Sequence, residues 1–216
     1  MLTLLLAGTA GSAALGYIGF LLWPRWPAAG VMDAPALPIS VEGVVFNVPP
    51  AAIRIPVQRH AGEQPRLDLV FLWPELTPPQ AGLKPALSDD PKPLNQLFIS
   101  IAAPQGKLSL EDRIKSIYAR YTASEAFAGP EGLVGLAFRD GTPYQGEDLF
   151  FAPERPDHFL VRCTRAAGPT AGTCLLERHI GQAELTARFS RDWLADWQNL
   201  AEGVERLIAS LRGSAS

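Results

Sequence analysis

Hydrophobic and polar positions fall into three regimes along this 216-residue chain. Residues 2–23, LTLLLAGTAGSAALGYIGFLLW, are apolar and carry no charge. A run of that length crosses a bilayer as one helix, the element that pairs all its backbone polar groups within itself. Residues 24–38, PRWPAAGVMDAPALP, hold four prolines and no period, which predicts a semi-stiff spacer. From residue 39 short strand-like runs take over. SVEGVVFNV (40–48) is rich in β-branched residues. AIRIPVQ (52–58) alternates Ile53 and Ile55 around Arg54, and Pro56 marks it as an edge strand or a bulge. RLDLVFLW (66–73) puts Leu67, Leu69, Phe71 and Trp73 on one face. LFISIAA (97–103) reads as a buried strand, and LVGLAFR (133–139) and DLFFA (148–152) as two more. Between them the period changes to that of a helix. In SLEDRIKSIYARYTAS (109–124), Leu110, Ile114, Ile117, Tyr118 and Tyr121 form one stripe, and Ser109 with Asp112 forms a capping box. TPPQAGLKPALSDDPKP (77–93) is a proline-rich loop and GPEGLVG (129–135) a turn.

The segment from residue 159 fixes its own register. If Cys163 faces Cys174 across a hairpin, Val161 faces Leu176. If Gly181-Gln182 is a two-residue turn, Ile180 faces Ala183, Leu176 faces Ala187 and Cys174 faces Phe189. One face then collects Phe159, Val161, Cys163, Cys174, Leu176, Ile180, Ala183, Leu185, Ala187 and Phe189, with Arg178 the exception. The other carries Arg162, Glu177, His179, Glu184, Thr186 and Arg188, with Leu160 and Leu175 out of pattern. Two turns chosen independently agree on one apolar face, which predicts a meander. Ser190 is placed to cap a last helix, with Asp192 in its first turn. Trp193, Trp197, Leu200, Val204, Leu207 and Leu211 form its buried stripe, and Glu202 with Arg206 an exposed pair.

The two cysteines admit a disulfide, a metal pair, a redox couple or two idle thiols. A metal site needs more ligands than this pair, and the three histidines are scattered at 60, 158 and 179. His179 lies on the face opposite Cys174. A redox couple would show C-x-x-C. A cross-strand disulfide Cys163–Cys174 needs only the opposed positions the hairpin supplies. That pairing argues for an oxidising compartment. Arg25, the basic residue that follows the apolar run, points the other way under the positive-inside rule and would leave the domain in the cytoplasm. We weigh the cysteines above this one charge. Without a basic stretch ahead of Leu2, the segment reads as an uncleaved signal-anchor rather than a cleaved signal peptide. Gly8, Ser12 and Gly16 recur every four residues, a face on which another membrane helix can approach closely. Trp23, Arg25 and Trp26 sit at the expected membrane interface.

Net charge is −3 and the isoelectric point about 5.6, so no basic excess is available to neutralise nucleic-acid phosphates. The chain matches no nucleophile-elbow, zincin, P-loop or dinucleotide motif. Asp89 and Asp90 could assist a cation but read as a solvated loop. Glu147 with Asp148, Glu154 with Asp157, and His158 beside Asp157 could imitate acid–base pairs, but nothing in the sequence fixes their geometry. Arg54, Arg59, His60 and Arg66 cluster in sequence, yet Glu42, Glu63 and Asp68 offset them, leaving no strong anion patch.

FNVPPAAIRIPVQRHAGEQPRLDLVFLWPEL (46–76) resembles a group of uncharacterised proteobacterial proteins with one N-terminal membrane helix and a periplasmic domain. That resemblance extends over most of the chain and implies topology, not site residues. The sheet-then-helix ending at VERLIASLR is also similar in layout to PsbP/Mog1-type α+β domains.

The expectation is therefore an α+β fold: a single N-terminal transmembrane helix plus a mostly antiparallel sheet packed by a middle helix and a long C-terminal helix. Residues 1–23 are the anchor, 24–38 the linker, 39–212 a periplasmic domain and 213–216 a tail. The expected role is a membrane-anchored accessory or binding protein, or a subunit of a larger inner-membrane complex. Its partners would be inner-membrane lipid and another transmembrane helix, with no nucleic acid, cofactor, metal or catalytic residue assigned. The alternatives are a periplasmic envelope enzyme of hydrolase type and an anchored domain facing the cytoplasm.

Overall fold

The structure is a computed structural model that describes residue 17 and residues 34–79, 95–104, 106, 110–156, 158–165 and 172–213. Gly8, Ser12, Gly16, Trp23, Arg25 and Trp26 lie outside the described residues, as do Asp89, Asp90, Ser109 and Asp157. Among the described residues no helix is long and apolar enough to cross a membrane.

The fold is α+β. Eleven strands are described: β1 Leu37–Val41, β2 Val44–Val48, β3 Gly62–Glu63, β4 Arg66–Leu72, β5 Gln96–Ala102, β6 Thr122–Ala128, β7 Val134–Phe138, β8 Glu147–Phe151, β9 Leu160–Thr164, β10 Thr173–Ile180 and β11 Ala183–Ser190. Helix α1 spans 110–121, with a π-helical turn at Ile114–Tyr118, and α2 is Trp197–Gly213. Eight strands form one antiparallel sheet in the order β4-β5-β11-β10-β9-β8-β7-β6. From β6 to β11 the chain runs as an uninterrupted meander, and the β4–β5 hairpin adds to its β11 edge. A small sheet, β2-β1-β3, lies apart. Because β5 is second in the large sheet and β6 is last, the connection between them must traverse the sheet, and α1 lies on that path.

The expected register of β9 to β11 is the observed one: Cys174 opposes Cys163 and Phe189, Leu176 opposes Val161 and Ala187, and Ile180 opposes Ala183. Gly181 takes the left-handed φ of 62° that a two-residue hairpin demands. All ten residues of the expected apolar face are buried. The exception, Arg178, runs out to Glu205 on α2 and to the His158 carbonyl. Cys163 and Cys174 are disulfide-bonded across a Cα separation of 4.0 Å.

This face of the large sheet, with α2 and the β1–β2 hairpin packed on it, makes the main core. The stripe of α2 holds Leu200, Val204, Leu207 and Leu211 as expected, widened by Ala201 and Ile208. Trp197 is only half-buried, and Trp193 lies ahead of α2 in the 3-10 segment Arg191–Asp196, stacked between Trp73 and Phe189 at 5.2 and 6.0 Å. Glu202 and Arg206 pair at 3.3 Å on the outer side.

Four local expectations need correction. Residues 40–48 are not one strand but the turn and arms of a hairpin, with Glu42 and Gly43 both at positive φ, 50° and 73°. Gly43 suits its positive φ, but glutamate is an uncommon occupant of the position before it, so the turn signal was weaker than that of Asn-Gly or Asp-Gly. Residues 52–58 form no strand. Pro50 and Pro56 open two 3-10 turns, and only Ile53 bridges to Leu69 of the edge strand. The helix that the period predicts to 124 ends at Tyr121, where Thr122 turns extended and starts β6. Strand β6 itself, TASEAFA, has little apolar alternation because it is an exposed edge strand. Its Phe127 lies over Gly135, where a Cβ would meet the ring at 2.3 Å. Lastly, Ser190 makes no side-chain cap bond: it closes β11, and a 3-10 segment, Arg191–Asp196, comes before α2.

Candidate functional site: an arginine-lined cleft on the second sheet face

The second face of the large sheet is only partly roofed. Ile114, Ile117, Tyr118 and Tyr121 of α1 pack on Phe138, Leu149 and Leu160, with Leu136, Tyr144 and Phe151 around them. This explains why Leu160 broke the polar pattern of β9: it sits beneath a helix. Over β5 and β11 the floor is open. Register aligns Phe98 with Arg188 and Ser100 with both Asp68 and Thr186. Ala102 lies opposite both Arg66 and Glu184. The wall on the β4 side includes Arg54, from the segment between the two 3-10 turns, and the wall on the other side is α1. They enclose a cleft of about 640 Å³.

Five arginines reach this cleft, from four strands and helices and one turn segment: Arg54, Arg66, Arg113, Arg162 and Arg188. Three are held by carboxylates. Arg66 forks onto Asp68 with three hydrogen bonds of 2.8–3.0 Å. Arg113 reaches down from α1 between two strands, donating to Glu177 at 2.7 Å and to Glu184 at 2.8 Å. Arg162 pairs with Glu147 at 2.7 Å and lies over the Tyr144 ring at 4.7 Å. The other two have no carboxylate partner among the described residues. Arg54 lies 5.6 Å from the centre of the Phe98 ring, and Arg188 is exposed beside it.

The environment sets the proton affinities. Burial pushes the Asp68 carboxyl up, but hydrogen bonds from Arg66, Gln58 and Ser100 and the Arg66 charge together hold it below the usual range. Burial pushes the Tyr118 hydroxyl up to about 12, and the Glu177 charge adds to that. Burial also raises Glu147, against the pull of Arg162. Burial works against the Arg113 charge, yet Glu177 and Glu184 more than offset it and raise its pKa. A tyrosine that holds its proton so tightly is a poor acid or base at neutral pH, and both glutamates are tied to one guanidinium. The arrangement suits holding an anion better than moving a proton.

The acid pairs singled out in the sequence fall elsewhere. Glu147 and Asp148 point to opposite faces of β8, Glu147 to Arg162 and Asp148 to Arg165 and Arg191 at 2.8 and 2.7 Å. Glu154 and His158 border a separate concavity beside Trp197, and Asp157 lies outside the described residues. His60 is exposed, Arg59 is spent on the Ile53 carbonyl, and His179 is exposed on the face away from the disulfide. Sequence reasoning saw Arg54 and Arg66 but not the cleft, because Arg113, Arg162 and Arg188 come from segments far along the chain.

No family model matches this chain, and no curated protein matches its sequence. Among solved structures the fold is similar to an immunity protein of the Stenotrophomonas maltophilia type IV secretion system. The TM-score is 0.57 at 16% identity, over 83% of this chain and 94% of that one. A further structure, the Neisseria meningitidis iron-regulated outer membrane lipoprotein FrpD, matches at TM-score 0.47 and 10% identity, over 85% of this chain and 95% of that one. The first likeness is one of fold.

Proposed function

We propose that this chain is a membrane-tethered binding protein of the bacterial envelope, in which the arginine-lined cleft is the binding surface and the role is accessory rather than catalytic. The observation that carries this reading is the uneven pairing in the cleft. Arg66, Arg113 and Arg162 hold carboxylates in a rigid frame, and Arg54 and Arg188 stay open to a partner. The buried disulfide supports an oxidising compartment, so the domain is assigned to the periplasm. The apolar run of residues 2–23 supplies the anchor in the inner membrane, where Gly8, Ser12 and Gly16 offer a face to another transmembrane helix of a larger complex. The resemblance of residues 46–76 to uncharacterised membrane-anchored periplasmic proteins supports the same topology. An immunity-protein fold neighbour is compatible with a role in binding.

Extraction in mild detergent followed by copurification and mass spectrometry tests the reading. A stoichiometric membrane or envelope partner is expected with wild type and not with Arg188→Glu. A chain that runs alone as a monomer would end it. Fusions at the C-terminus test the compartment: alkaline phosphatase should be active there, whereas activity of green fluorescent protein exported by the general pathway would put the domain in the cytoplasm. A hydrolase reading draws on one observation, that Tyr118, Glu177 and Glu184 line the same cleft. Turnover of cell-wall or lipid material that Glu184→Gln abolishes would establish it.

A further inference from the structure

We infer that the open end of the cleft binds a compact organic dianion, held through its oxyanion groups by Arg54 and Arg188 with the Phe98 ring as the platform for its carbon skeleton. The inference rests on the reading of the cleft as a binding surface and names the chemistry that surface takes.

The argument begins with charge. Asp68 is satisfied by Arg66, and Glu177 and Glu184 are both satisfied by Arg113 at the α1 end. Glu147 answers Arg162. Arg54 and Arg188 are therefore the two guanidinium groups without a carboxylate partner among the described residues, and with Arg113 shared between two glutamates the five guanidinium groups exceed the carboxylates by one charge, leaving the cleft net positive. A net positive concavity with two guanidinium groups free of carboxylate partners attracts anions. A guanidinium also presents its N–H groups as a planar fork that matches a carboxylate or phosphoryl group with two parallel bonds. Arg54 lies 5.6 Å from the centre of the Phe98 ring, a contact that uses none of its N–H donors.

The shape narrows the ligand. A volume of about 640 Å³ lies within the range of small-molecule sites, roughly 300–1,000 Å³. The floor is Phe98, Ala102 and the hydroxyl-bearing Thr186, with Ile117 and Leu175 towards α1. That is apolar area for a short carbon skeleton, flanked by donors for its charged ends. Glu184, four residues along β11 from Arg188, sets the far limit, since a longer anion would bring its second charge towards it. A phosphomonoester and a short dicarboxylate share the required chemistry.

The full chain in nonionic detergent micelles is titrated calorimetrically with methyl phosphate, with succinate and with acetate as the monoanion control. One dianion should bind saturably at one per chain, at least about tenfold more tightly than acetate, and more weakly as salt rises. Whichever dianion binds more tightly identifies the charged group. Arg188→Gln and Arg54→Gln should each weaken it by roughly tenfold, and Arg206→Gln on the outer side of α2 should not. Dianions that bind no better than acetate, or binding that survives both cleft substitutions, would overturn the inference. If dianions fail yet wild type still retains a partner that Arg188→Glu loses, this inference falls and the binding-surface reading stands. If no partner is retained either, both fall.

Discussion

The two faces of the eight-stranded sheet are built from the same alternating strands but are finished differently. One is mostly dry. Phe159, Val161, Cys163, Cys174, Leu176, Leu185 and Ala187 are at most 1% exposed under α2 and the β1–β2 hairpin; Arg178 escapes to the rim, and Asp148, level with Cys163, is buried against Arg165 and Arg191. The other is divided. Over β7, β8 and β9 it is sealed by α1, and over β5 and β11 it is open and lined by arginines. On the first face alternation produces stability through buried apolar area. On the second, the same alternation places polar side chains in a row, where α1 uses some of them and leaves others to solvent. Function is expected where the roof stops.

The contrast predicts that damage to the dry face costs most. Phe159→Ala removes a ring that is 0% exposed and packs on Trp197 at 5.0 Å, so urea unfolding should show a loss of about 3–5 kcal/mol. A loss under about 1 kcal/mol would mean the face repacks freely and is not the rigid half of the molecule. Breaking the Arg113 bridge is the corresponding test for the second face. Arg113→Ala leaves Glu177 and Glu184, both mostly buried, without their shared cation, and should cost about 3 kcal/mol at pH 7. Arg113→Lys, which keeps the charge, should recover part of that. A loss as large as that of Arg113→Ala would show that packing, not charge, was removed. Cys163→Ala with Cys174→Ala should cost about 2–3 kcal/mol by the chain-entropy argument, with anion titration unchanged because the bond lies on the other face.

The dry face was legible in the sequence and the cleft was not, and the reason is physical. Residues 159–189 are three consecutive strands joined by a hairpin loop and a two-residue turn, so a period of two and the requirement for one apolar face suffice to set the register. The stripe of α2 is similarly local. What failed depended on tertiary context. Thr122 leaves α1 and enters β6 with neither glycine nor proline at the junction, and β6 is an edge strand with almost nothing to bury. The Glu42-Gly43 turn joins a glycine that suits positive φ to a glutamate that does not, so only half of its signal was in the sequence. Counting charges along residues 40–70 gave no anion patch. The count could not include Arg188, which register sets beside Phe98, or Arg113, which α1 carries over the sheet. A constellation assembled from strands that are distant in sequence has no period to read.

Tyr118 measures how well α1 seals its half of the second face. With its pKa raised to about 12, the folded state keeps the phenol proton after the unfolded chain has lost it near pH 10. Between those values the unfolded state binds fewer protons, so stability falls as pH rises from about 10 to about 12, by a total on the order of 2 kcal/mol. Spectrophotometric titration should show one of the four tyrosines ionising late, and Tyr118→Phe should remove that step. If all four ionise together near pH 10, α1 is not a tight roof.

The smallest expected effect carries the comparison furthest. Arg188 stands on the same face as Arg113, two residues from Thr186 on β11, opposite Phe98 and Leu175, with no carboxylate partner among the described residues. Removing it leaves no buried charge behind and breaks no ion pair among the described residues. Arg188→Ala should therefore change unfolding free energy by no more than about 0.5 kcal/mol in either direction, the usual range for an exposed position. A loss above about 1 kcal/mol would make Arg188 part of the frame, like Arg66, Arg113 and Arg162. The open half of the sheet would then be as structural as the sealed half. Neutral stability combined with lost anion binding is the one result that separates a residue kept for a ligand from one kept for the fold.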